Sequence, residues 1–359
     1  MTEASSASGS EPRSIIELEL MHRWSTHTYR SMCGIPEEAH YLSQVMPREA
    51  LKHDFMLDGI FAVTALDIAR SSQEPDATKY EHIALEYYNR GSASFRELLT
   101  DIPPDIYHLM FIFASAAAVM VLGLPQSTGG NGSGSGGVQT ALERIITLAD
   151  LFHGTLLIVH AGWDKIVDAY VPLRAALSTK VDKPDLLDIS QPVDRNELPF
   201  RFASLDLLDD DIRPVLARLD AVNDKVHATP RKGEPELSAA QEEERSAAHD
   251  MYRLSIFWLK EGFAEQKMDV VKGYCLSFFI LAGQEFAAAA KSSQPLALFI
   301  LMHWAVQLDK LGEEAWWART VGRQLVHEVS EFLAVSPLSS MPETRDNVAW
   351  ARRLVGLPT

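Results

Sequence analysis

Polar side chains interrupt the apolar segment from Pro295 to Leu311, and three of them share one helix face. His303, Gln307 and Lys310 follow one another at i, i+4 and i+7, so on a helix they form one stripe that runs from mid-segment toward solvent. An imidazole and a carboxamide on such a stripe can hydrogen bond to a hydroxyl group of a ligand at the wet mouth of a pocket. The stripe is equally typical of a core helix whose end reaches the surface, so both interpretations stand here.

Aromatic and methionine side chains of the most apolar segments are the candidate walls of such a pocket. Burying about 400 Å² of apolar ligand surface contributes on the order of 10 kcal/mol before the costs of association, so a sterol-like ligand needs few polar contacts. The predicted ligand-binding residues are Phe111, Phe113, Met120, Trp163, Tyr274, Phe278, Phe279, Met302, His303, Trp304 and Gln307. Ordinary cores contain the same residue types, and a cavity in the structure separates the two interpretations.

Histidine, tyrosine and aspartate side chains offer an enzymatic alternative. In a cavity that positions its substrate, proton transfer alone can drive a cyclisation, an isomerisation or an elimination of secondary metabolism. The acid and base candidates under this alternative are His22, His27, Tyr29, His160, Asp164, Tyr274 and His303. Their positions in the sequence do not rank them, and we favour a binding protein over an enzyme.

Motifs of metal-dependent and hydrolytic enzymes are missing from the sequence. The pairs His22 and His27, and His153 and His160, lack the i, i+4 spacing of two zinc ligands on one helix, and neither HExxH nor GxSxG occurs. All-α isoprenoid cyclases hold magnesium on aspartate-rich helices, but the acidic run Asp206 to Pro214 has no second motif after it. We interpret that run as the solvated start of a helix and predict neither a metal nor a cofactor.

Composition excludes further classes of protein. The 359 residues are 47% hydrophobic and 23% charged, a globular composition that buries roughly 70 to 75% of the unfolded surface at this length. The formal charge of -16 repels phosphate backbones and anionic membranes, so we expect no direct contact with nucleic acid. Cys33 and Cys275 are the only cysteines, and we predict two free thiols in an intracellular protein of the nucleus or cytoplasm.

Helical spacing recurs along nearly the whole chain, whereas the alternation typical of strands is almost absent. Apolar or small residues share one helix face in three clear sets: Phe55, Gly59, Ala62, Leu66 and Ala69 in a helix that starts at Pro47; Tyr80, Ala84, Tyr87, Gly91, Phe95 and Leu98; and Met251, Leu254, Trp258 and Gly262. The sequence therefore predicts an all-α fold of about a dozen helices around a central apolar cavity. The segment Leu109 to Leu124 is apolar except for Ser115 but shorter than the about 20 residues of a membrane span, so we predict a buried central helix.

The chain is expected to form one large domain with a few loops. Residues 1–14 are polar and small, which predicts a disordered lead-in that is neither a signal peptide nor an anchor. Residues 15–357 form the predicted helical domain. Within it, residues 129–137 have the composition of a flexible Gly/Ser linker, and residues 179–202 and 227–237 are loops rich in proline and charge.

Seven segments spread over residues 15–357 carry a resemblance to known proteins. They are ELELMHRWSTHTYRSM from 17, PREALKHDFMLDGIFAVTALDIA from 47, YEHIALEYYNRGSASFREL from 80, LFHGTLLIVHAGWDKI from 151, PLALFILMHWAVQLDKL from 295, WWARTVGRQLVHEVSEFL from 316 and WARRLVGL from 350. In sequence and spacing they resemble the C-terminal regulatory domain of fungal zinc-cluster transcription factors, and among these the sterol uptake control regulators.

The resemblance implies an all-helical sensor that binds a sterol or another apolar metabolite in a cavity and regulates transcription. In that family a separate six-cysteine zinc cluster contacts DNA, but those cysteines are absent here, so DNA binding does not carry over. The resemblance also implies a homodimer or a bound partner whose state changes with ligand through a population shift between two packings. A pure interaction module is a third alternative, with Trp316 and Trp317 as anchors for a coactivator helix.

Overall fold

The computed structural model describes residues 15–124, 140–170, 205, 208–228, 238–269 and 271–359. Within these ranges 81% of the residues are helical and no strand occurs, which confirms the prediction of an all-α fold with about a dozen helices. The predicted lead-in 1–14, the linker 129–137, the loop 179–202 and most of the loop 227–237 lie outside the described residues.

The first half of the fold is built on a pair of long helices, α4 and α5, with α6 packed against α4. Its helices are α1 (Ile15–Thr26), α2 (Glu38–His40), α3 (Met46–Ala50), α4 (Asp54–Ser71), α5 (Asp76–Leu98), α6 (Tyr107–Gly123) and α7 (Ala141–Ala169). A 3₁₀ turn, Thr28–Met32, follows α1, and a π-helical turn, Tyr41–Val45, joins α2 to α3. Helix α7 packs on α6 and extends toward the second half.

The second half surrounds α11, which packs against α9, α10, α12 and α13. Its helices are α8 (Arg213–Val226), α9 (Ala239–Met268), α10 (Phe278–Lys291), α11 (Pro295–Leu311), α12 (Val321–Ala334) and α13 (Pro342–Leu354). Short 3₁₀ helices at Tyr274–Ser277, Trp316–Ala318 and Pro337–Ser340 make the connections. Because α7 also contacts α10 and α12, it joins the two halves.

Helix α11 forms the centre of the second half because neighbours cover all of its faces. Every residue from Leu296 to Leu308 is buried. Its closest neighbour is α12, which has a glycine at the crossing: a Cβ atom on Gly322 would lie 2.4 Å from the backbone nitrogen of Asp309. The two backbones touch there, so the crossing has no room for a larger side chain.

The helix predicted to run from Pro47 to Ala69 is wrong in its first part. Pro47 belongs to α3, which ends at Ala50, and α4 begins at Asp54. His53 between them has extended backbone angles, φ -137° and ψ 96°, which interrupts the helical path. The predicted face is nevertheless buried within α4, since α1, α5 and α6 all pack on this helix.

The apolar segment predicted to start at Leu109 lies in α6 as far as Gly123 and is buried on most of its faces, which confirms the predicted buried helix. Among the described residues one helix, α7, is long and apolar enough to cross a membrane, and 33% of its most apolar window is buried inside the protein. A single such helix is weak evidence for a membrane span, because core helices pass the same test.

Charged side chains cap the facing ends of α6 and α7. The buried Arg144 guanidinium donates to the last carbonyls of α6, to Val121 O at 3.0 Å and to Leu122 O. Glu328 of α12 accepts hydrogen bonds from Ala141 N at 2.9 Å and Leu142 N at 3.0 Å. A cation at a helix C-terminus and an anion at a helix N-terminus both complement the helix dipole.

Replacing Arg144 with methionine is expected to lower the free energy of unfolding by about 2 kcal/mol. Methionine keeps an apolar stem but leaves the carbonyls of Val121 and Leu122 without their donor in buried surroundings. Urea denaturation measures the change. The matched control is Arg96→Met on the exposed side of α5, for which we expect a change within about 0.5 kcal/mol. Equal stabilities of the two variants would contradict the capping role.

Candidate ligand-binding cavity

A cavity of about 330 Å³ lies where the two halves of the fold meet. This volume is at the lower end of the roughly 300 to 1,000 Å³ typical of small-molecule sites. Its apolar lining consists of Met32, Leu42, Phe111, Ile112, Ala118, Val119, Phe152, Leu276, Leu311, Ala315 and Trp317. A surface of this composition suits a hydrophobic guest, because apolar contacts contribute most of the binding free energy.

One face of α6 forms the longest continuous wall of the cavity. Phe111, Ile112, Ser115, Ala118 and Val119 recur at helical spacing and all line it. The Ser115 hydroxyl donates to the carbonyl of Phe111 at 3.2 Å, so this polar group is satisfied within its own helix. The small side chains at 115 and 118 leave the space that the cavity occupies.

A tyrosine and a glutamate provide the buried polar contact of the cavity. The Tyr170 hydroxyl, at the end of α7, donates to Glu38 Oε1 at 2.6 Å. Glu38 Oε2 accepts from Gly34 N at 2.5 Å and from Ile35 N at 3.3 Å, so donors surround the carboxylate. Burial, and then the negative charge of Glu38, raise the pKa of Tyr170 far above its ordinary value. Tyr170 is therefore a protonated donor at neutral pH.

An ion pair and a backbone hydrogen bond lie at one side of the cavity. Lys272 Nζ lies 2.5 Å from Glu314 Oε2, and both side chains are about half exposed. The backbone nitrogen of Lys272 donates to Gly34 O at 2.8 Å. Gly273, with φ 71°, then turns the chain into the helix Tyr274–Ser277. These contacts tie the loop before α2 to the segment between α9 and α10.

The thiol of Cys33 also faces the cavity, but it is not a nucleophile at neutral pH. It donates to Tyr29 O at 3.4 Å. Burial, and then the negative charge of Glu38, raise its pKa to about 11, although Lys272 opposes the shift. Both Cys33 and Cys275 are free, in agreement with the prediction of unpaired thiols.

Two adjacent tryptophans attach the C-terminal half to the turn after α1. The indole N–H of Trp316 donates to Ser31 Oγ and that of Trp317 to Ser31 O, both at 3.0 Å. Trp317 is buried and Trp316 half-buried. Their hydrogen-bonding groups are thus used inside the protein, which speaks against the alternative in which they anchor a coactivator.

Of the predicted ligand-binding residues, Phe111 is the one that lines this cavity. Phe113 and Met120 lie on other faces of α6, and the ring of Phe113 packs 4.8 Å from that of Phe95, centroid to centroid. Trp163 is half-buried on α7, outside the cavity lining. Phe111 of α6 lines the cavity, whereas Phe113 and Met120 of the same helix face away from it.

Two members of the polar stripe of α11, His303 and Gln307, lie in the packed core and each has one hydrogen-bond partner on the backbone, whereas His303 Nε2 has no partner among the described residues and Lys310 is exposed. His303 Nδ1 is 2.7 Å from Phe299 O, and its ring stacks on Trp350 with centroids 5.6 Å apart. Gln307 Nε2 donates to Leu259 O at 3.0 Å. These two side chains are 0% and 1% exposed, so the core interpretation holds for the stripe and the pocket interpretation does not.

The remaining predicted wall residues belong to an aromatic cluster beside α11 that is fully packed. Trp304 Nε1 donates to Cys275 O at 2.7 Å, and its ring lies 4.9 Å from that of Phe279 and 6.4 Å from that of Phe278. Met302 is 0% exposed. None of these four side chains lines the cavity.

The acid and base candidates of the enzymatic alternative do not meet in the structure. His22 on α1, His27 directly after it, and His160 and Asp164 on α7 are exposed. Tyr29 is half-buried, and His303 is in the core. Tyr274 lines a second, polar cavity of about 270 Å³ together with Gln266, Asp269 and Lys310. None of the seven lines the 330 Å³ cavity. Within the described ranges no group of three or more His, Cys, Asp or Glu side chains is arranged to hold a metal ion.

The acidic run near 206 behaves as a solvated helix start where the structure describes it. Asp209 pairs with Lys267 at 2.8 Å, and Asp210 lies 3.8 Å from Arg213 at the first turn of α8. Both ion pairs are exposed, and the first connects the start of α8 to α9, whereas the second is a local i,i+3 contact. Both carboxylates lie outside the cavity, which agrees with the interpretation of the run as a surface feature.

Sequence reasoning missed the polar residues that line the cavity, among them Arg30, Glu38, Tyr170, Lys272 and Glu314. None of them belongs to a motif, and the Tyr170–Glu38 contact joins residues 132 positions apart. A usable signal was present at Ser115, the single polar residue in the apolar run of α6. Phe111 and Ala118, one turn before and one turn after it on the same face, also line the cavity.

Comparison with known proteins gives no relative of this chain. No protein-family model, no curated protein and no solved structure matches it. The resemblance to sterol uptake control regulators therefore stays a prediction that depends on the seven sequence segments.

Tyr170→Phe is expected to lower the free energy of unfolding by about 1 to 2 kcal/mol. The substitution keeps the ring but removes a buried donor to the Glu38 carboxylate, and hydrogen bonds to charged groups are the stronger ones. Chemical denaturation measures the loss. The control, Tyr80→Phe, removes a longer hydrogen bond of 3.2 Å to Glu19 far from the cavity lining and should cost less. A Tyr170→Phe protein as stable as the wild type would show that Glu38 does not need this donor.

Proposed function

We propose that this chain is a ligand-sensing regulatory domain that binds a hydrophobic small molecule in the 330 Å³ cavity beside α6. The cavity is the observation that carries the proposal. Sterols are the first class to test, because the sequence segments resemble sterol uptake control regulators. No cofactor is part of the proposal.

The chemistry of the cavity supports a binding function over catalysis. Its lining is mostly apolar, its tyrosine is held protonated and its thiol has a pKa of about 11. A ligand would gain its affinity by leaving water, and a few polar contacts at one end would set its orientation. The acid and base candidates of the enzymatic alternative are distributed elsewhere, so no observation favours that alternative.

The position of the cavity supports sensing. Its lining comes from the turn and loop after α1, from α6 and α7, and from residues 272–276 and 311–317, so a bound molecule would contact both halves. A ligand shifts a conformational equilibrium only by its difference in affinity for the two states. At a site between two halves, a change in how the halves pack changes the contacts of the ligand and therefore its affinity.

Regulation of transcription is the further step of this proposal. With a formal charge of -16 and two cysteines, these residues are unsuited to DNA contact, which another polypeptide region would supply. The domain would then act in the nucleus or cytoplasm, through self-association or through a partner whose binding depends on the ligand.

The experiment is a search for bound ligand followed by a titration. Native mass spectrometry and organic extraction of the purified protein are expected to yield an apolar small molecule. Ergosterol, added to the delipidated protein well above its dissociation constant, should raise Tm by a few degrees through mass action. Hydrogen exchange should then slow at the Ser31 and Trp317 junction. The proposal is overturned if no ligand is recovered and no sterol, fatty alcohol or fatty acid shifts Tm.

A further inference from the structure

The polar groups around the cavity are nearly all used by partners inside the protein. Tyr170 and Glu38 bind each other, and Lys272 pairs with Glu314. Ser31 donates to Thr28 O at 2.9 Å and accepts from Trp316. With the hydroxyl of Ser115 bonded in its own helix, a ligand finds few free donors or acceptors here.

Arg30 is the exception. It lines the cavity and is exposed, and within the described part of the chain no carboxylate lies within ion-pair distance of it. Its contacts are with Tyr29: Nε lies 3.5 Å from the tyrosine hydroxyl, and the guanidinium carbon 5.8 Å from the ring centroid. Most of its five N–H donors therefore have no partner among the residues that the structure describes.

The backbone that carries Arg30 is held on both sides. Two residues earlier, Thr28 donates to the buried Asp67 at 2.7 Å, and the next residue, Ser31, accepts from both tryptophans of the 3₁₀ helix Trp316–Ala318. The turn thus fixes the backbone of Arg30 at the lining of an apolar cavity, and a guanidinium there can present two parallel N–H donors to one carboxylate.

We propose that the ligand of this cavity is an apolar carboxylic acid, whose carboxylate binds the Arg30 guanidinium and whose hydrocarbon part lies against α6. This rests on the proposed ligand-binding function and names its ligand class. A basic ligand fits less well, because Glu38 already accepts three hydrogen bonds and Glu314 is paired. A simple alcohol leaves the charge of Arg30 uncompensated.

The test compares three ligands with the same chain: dodecanoic acid, dodecanol and methyl dodecanoate, at a pH where the acid is ionised, with ergosterol as a fourth. Isothermal titration gives each dissociation constant. We expect the acid to bind about tenfold more tightly than the alcohol or the ester, the gain of one bidentate charged contact at an exposed site. Its advantage should shrink at high salt, while the affinity of the alcohol stays constant.

Substitutions then locate the effect. Arg30→Gln is expected to remove the preference for the acid, and Arg30→Lys to keep part of it. Arg48→Gln, which removes the same charge from exposed α3 outside the cavity lining, should leave the preference unchanged. The Tm of each variant verifies its fold, and the salt dependence in the wild type tests the same contact without any substitution.

Each outcome decides a separate point. If the acid, the alcohol and the ester bind wild type equally, the carboxylate proposal fails while the binding function stands. An acid preference that persists in Arg30→Gln overturns the assignment to Arg30. If neither these ligands nor ergosterol binds, the proposed function itself fails.

Discussion

Ser115→Phe is expected to abolish ligand binding without loss of stability. Ser115 lies in the middle of the α6 wall, and its hydroxyl bonds only within its own helix, so no partner elsewhere is lost. A phenyl ring at this position would occupy the space of the ligand in a cavity of about 330 Å³. We expect affinity for any apolar ligand to fall by a factor of about 100 or more, equivalent to about 3 kcal/mol.

Stability separates this result from simple misfolding. A side chain that fills an existing cavity typically changes the free energy of unfolding by between 0 and about +2 kcal/mol, whereas a large residue forced into a full core destabilises. Thermal unfolding and ligand titration of the same sample measure both quantities. The control is Ser71→Phe on α4, where the serine also bonds to the carbonyl four residues earlier but lies outside the cavity. Ser115→Phe with unchanged affinity would place the ligand elsewhere.

The fold could be predicted from the sequence because its signals are local. Apolar spacing over several turns identifies a helix wherever it packs, and α5 has its buried Tyr80, Ala84, Tyr87 and Gly91 on the predicted face. The same approach failed at the start of α4, because the helix predicted to begin at Pro47 is interrupted at His53. The backbone is extended there, although the helical spacing of apolar side chains gives no sign of a break.

The cavity could be predicted only in part, because its position depends on contacts between residues far apart. Phe111 of the predicted set lines the cavity, but Phe111 and Phe113 are equivalent in the sequence of a helix that is apolar all round. Only the packing of Phe113 against the aromatic rings of Phe55 and Phe95 decides which one faces the core. The polar end depends on pairs such as Ser31 and Trp316, separated by 285 positions, for which no local pattern exists.

The stripe on α11 shows why polar residues within an apolar helix are ambiguous. A histidine and a glutamine there need hydrogen-bond partners, and backbone carbonyls can supply them as well as a ligand can. At Gly262 a Cβ atom would lie 2.5 Å from Gln307 Oε1, so the glycine of α9 is what lets this carboxamide approach Leu259 O. The role of Gly262 can be recognised only once α9 and α11 are placed side by side.

Acidification is expected to destabilise this protein by about 3 kcal/mol through His303 alone. Burial, with a smaller contribution from Arg218, lowers the pKa of His303 to about 4, although its hydrogen bond to Phe299 O opposes the shift. In the unfolded chain the ordinary pKa is about 6.5. The unfolded state therefore takes up a proton first, so stability is complete above about pH 6.5 and is lost as the pH falls toward 4. Burial also lowers the pKa values of His153 and His227, so these two histidines add to the loss of stability at low pH.

His303→Phe separates the contribution of this imidazole from the others. Phenylalanine keeps an aromatic ring against Trp350 but cannot be protonated, so the loss of stability between about pH 6.5 and 4 should become smaller by about 3 kcal/mol. Urea unfolding across that range measures the slope, and His327→Phe, at a histidine whose side chain is 57% exposed, should leave it unchanged. If the free energy of unfolding falls with pH equally in wild type and in His303→Phe, His303 is protonated as easily in the folded protein as in the unfolded chain. The helix would then contain a water-accessible space, and the pocket interpretation of the His303 and Gln307 stripe would have to be reopened.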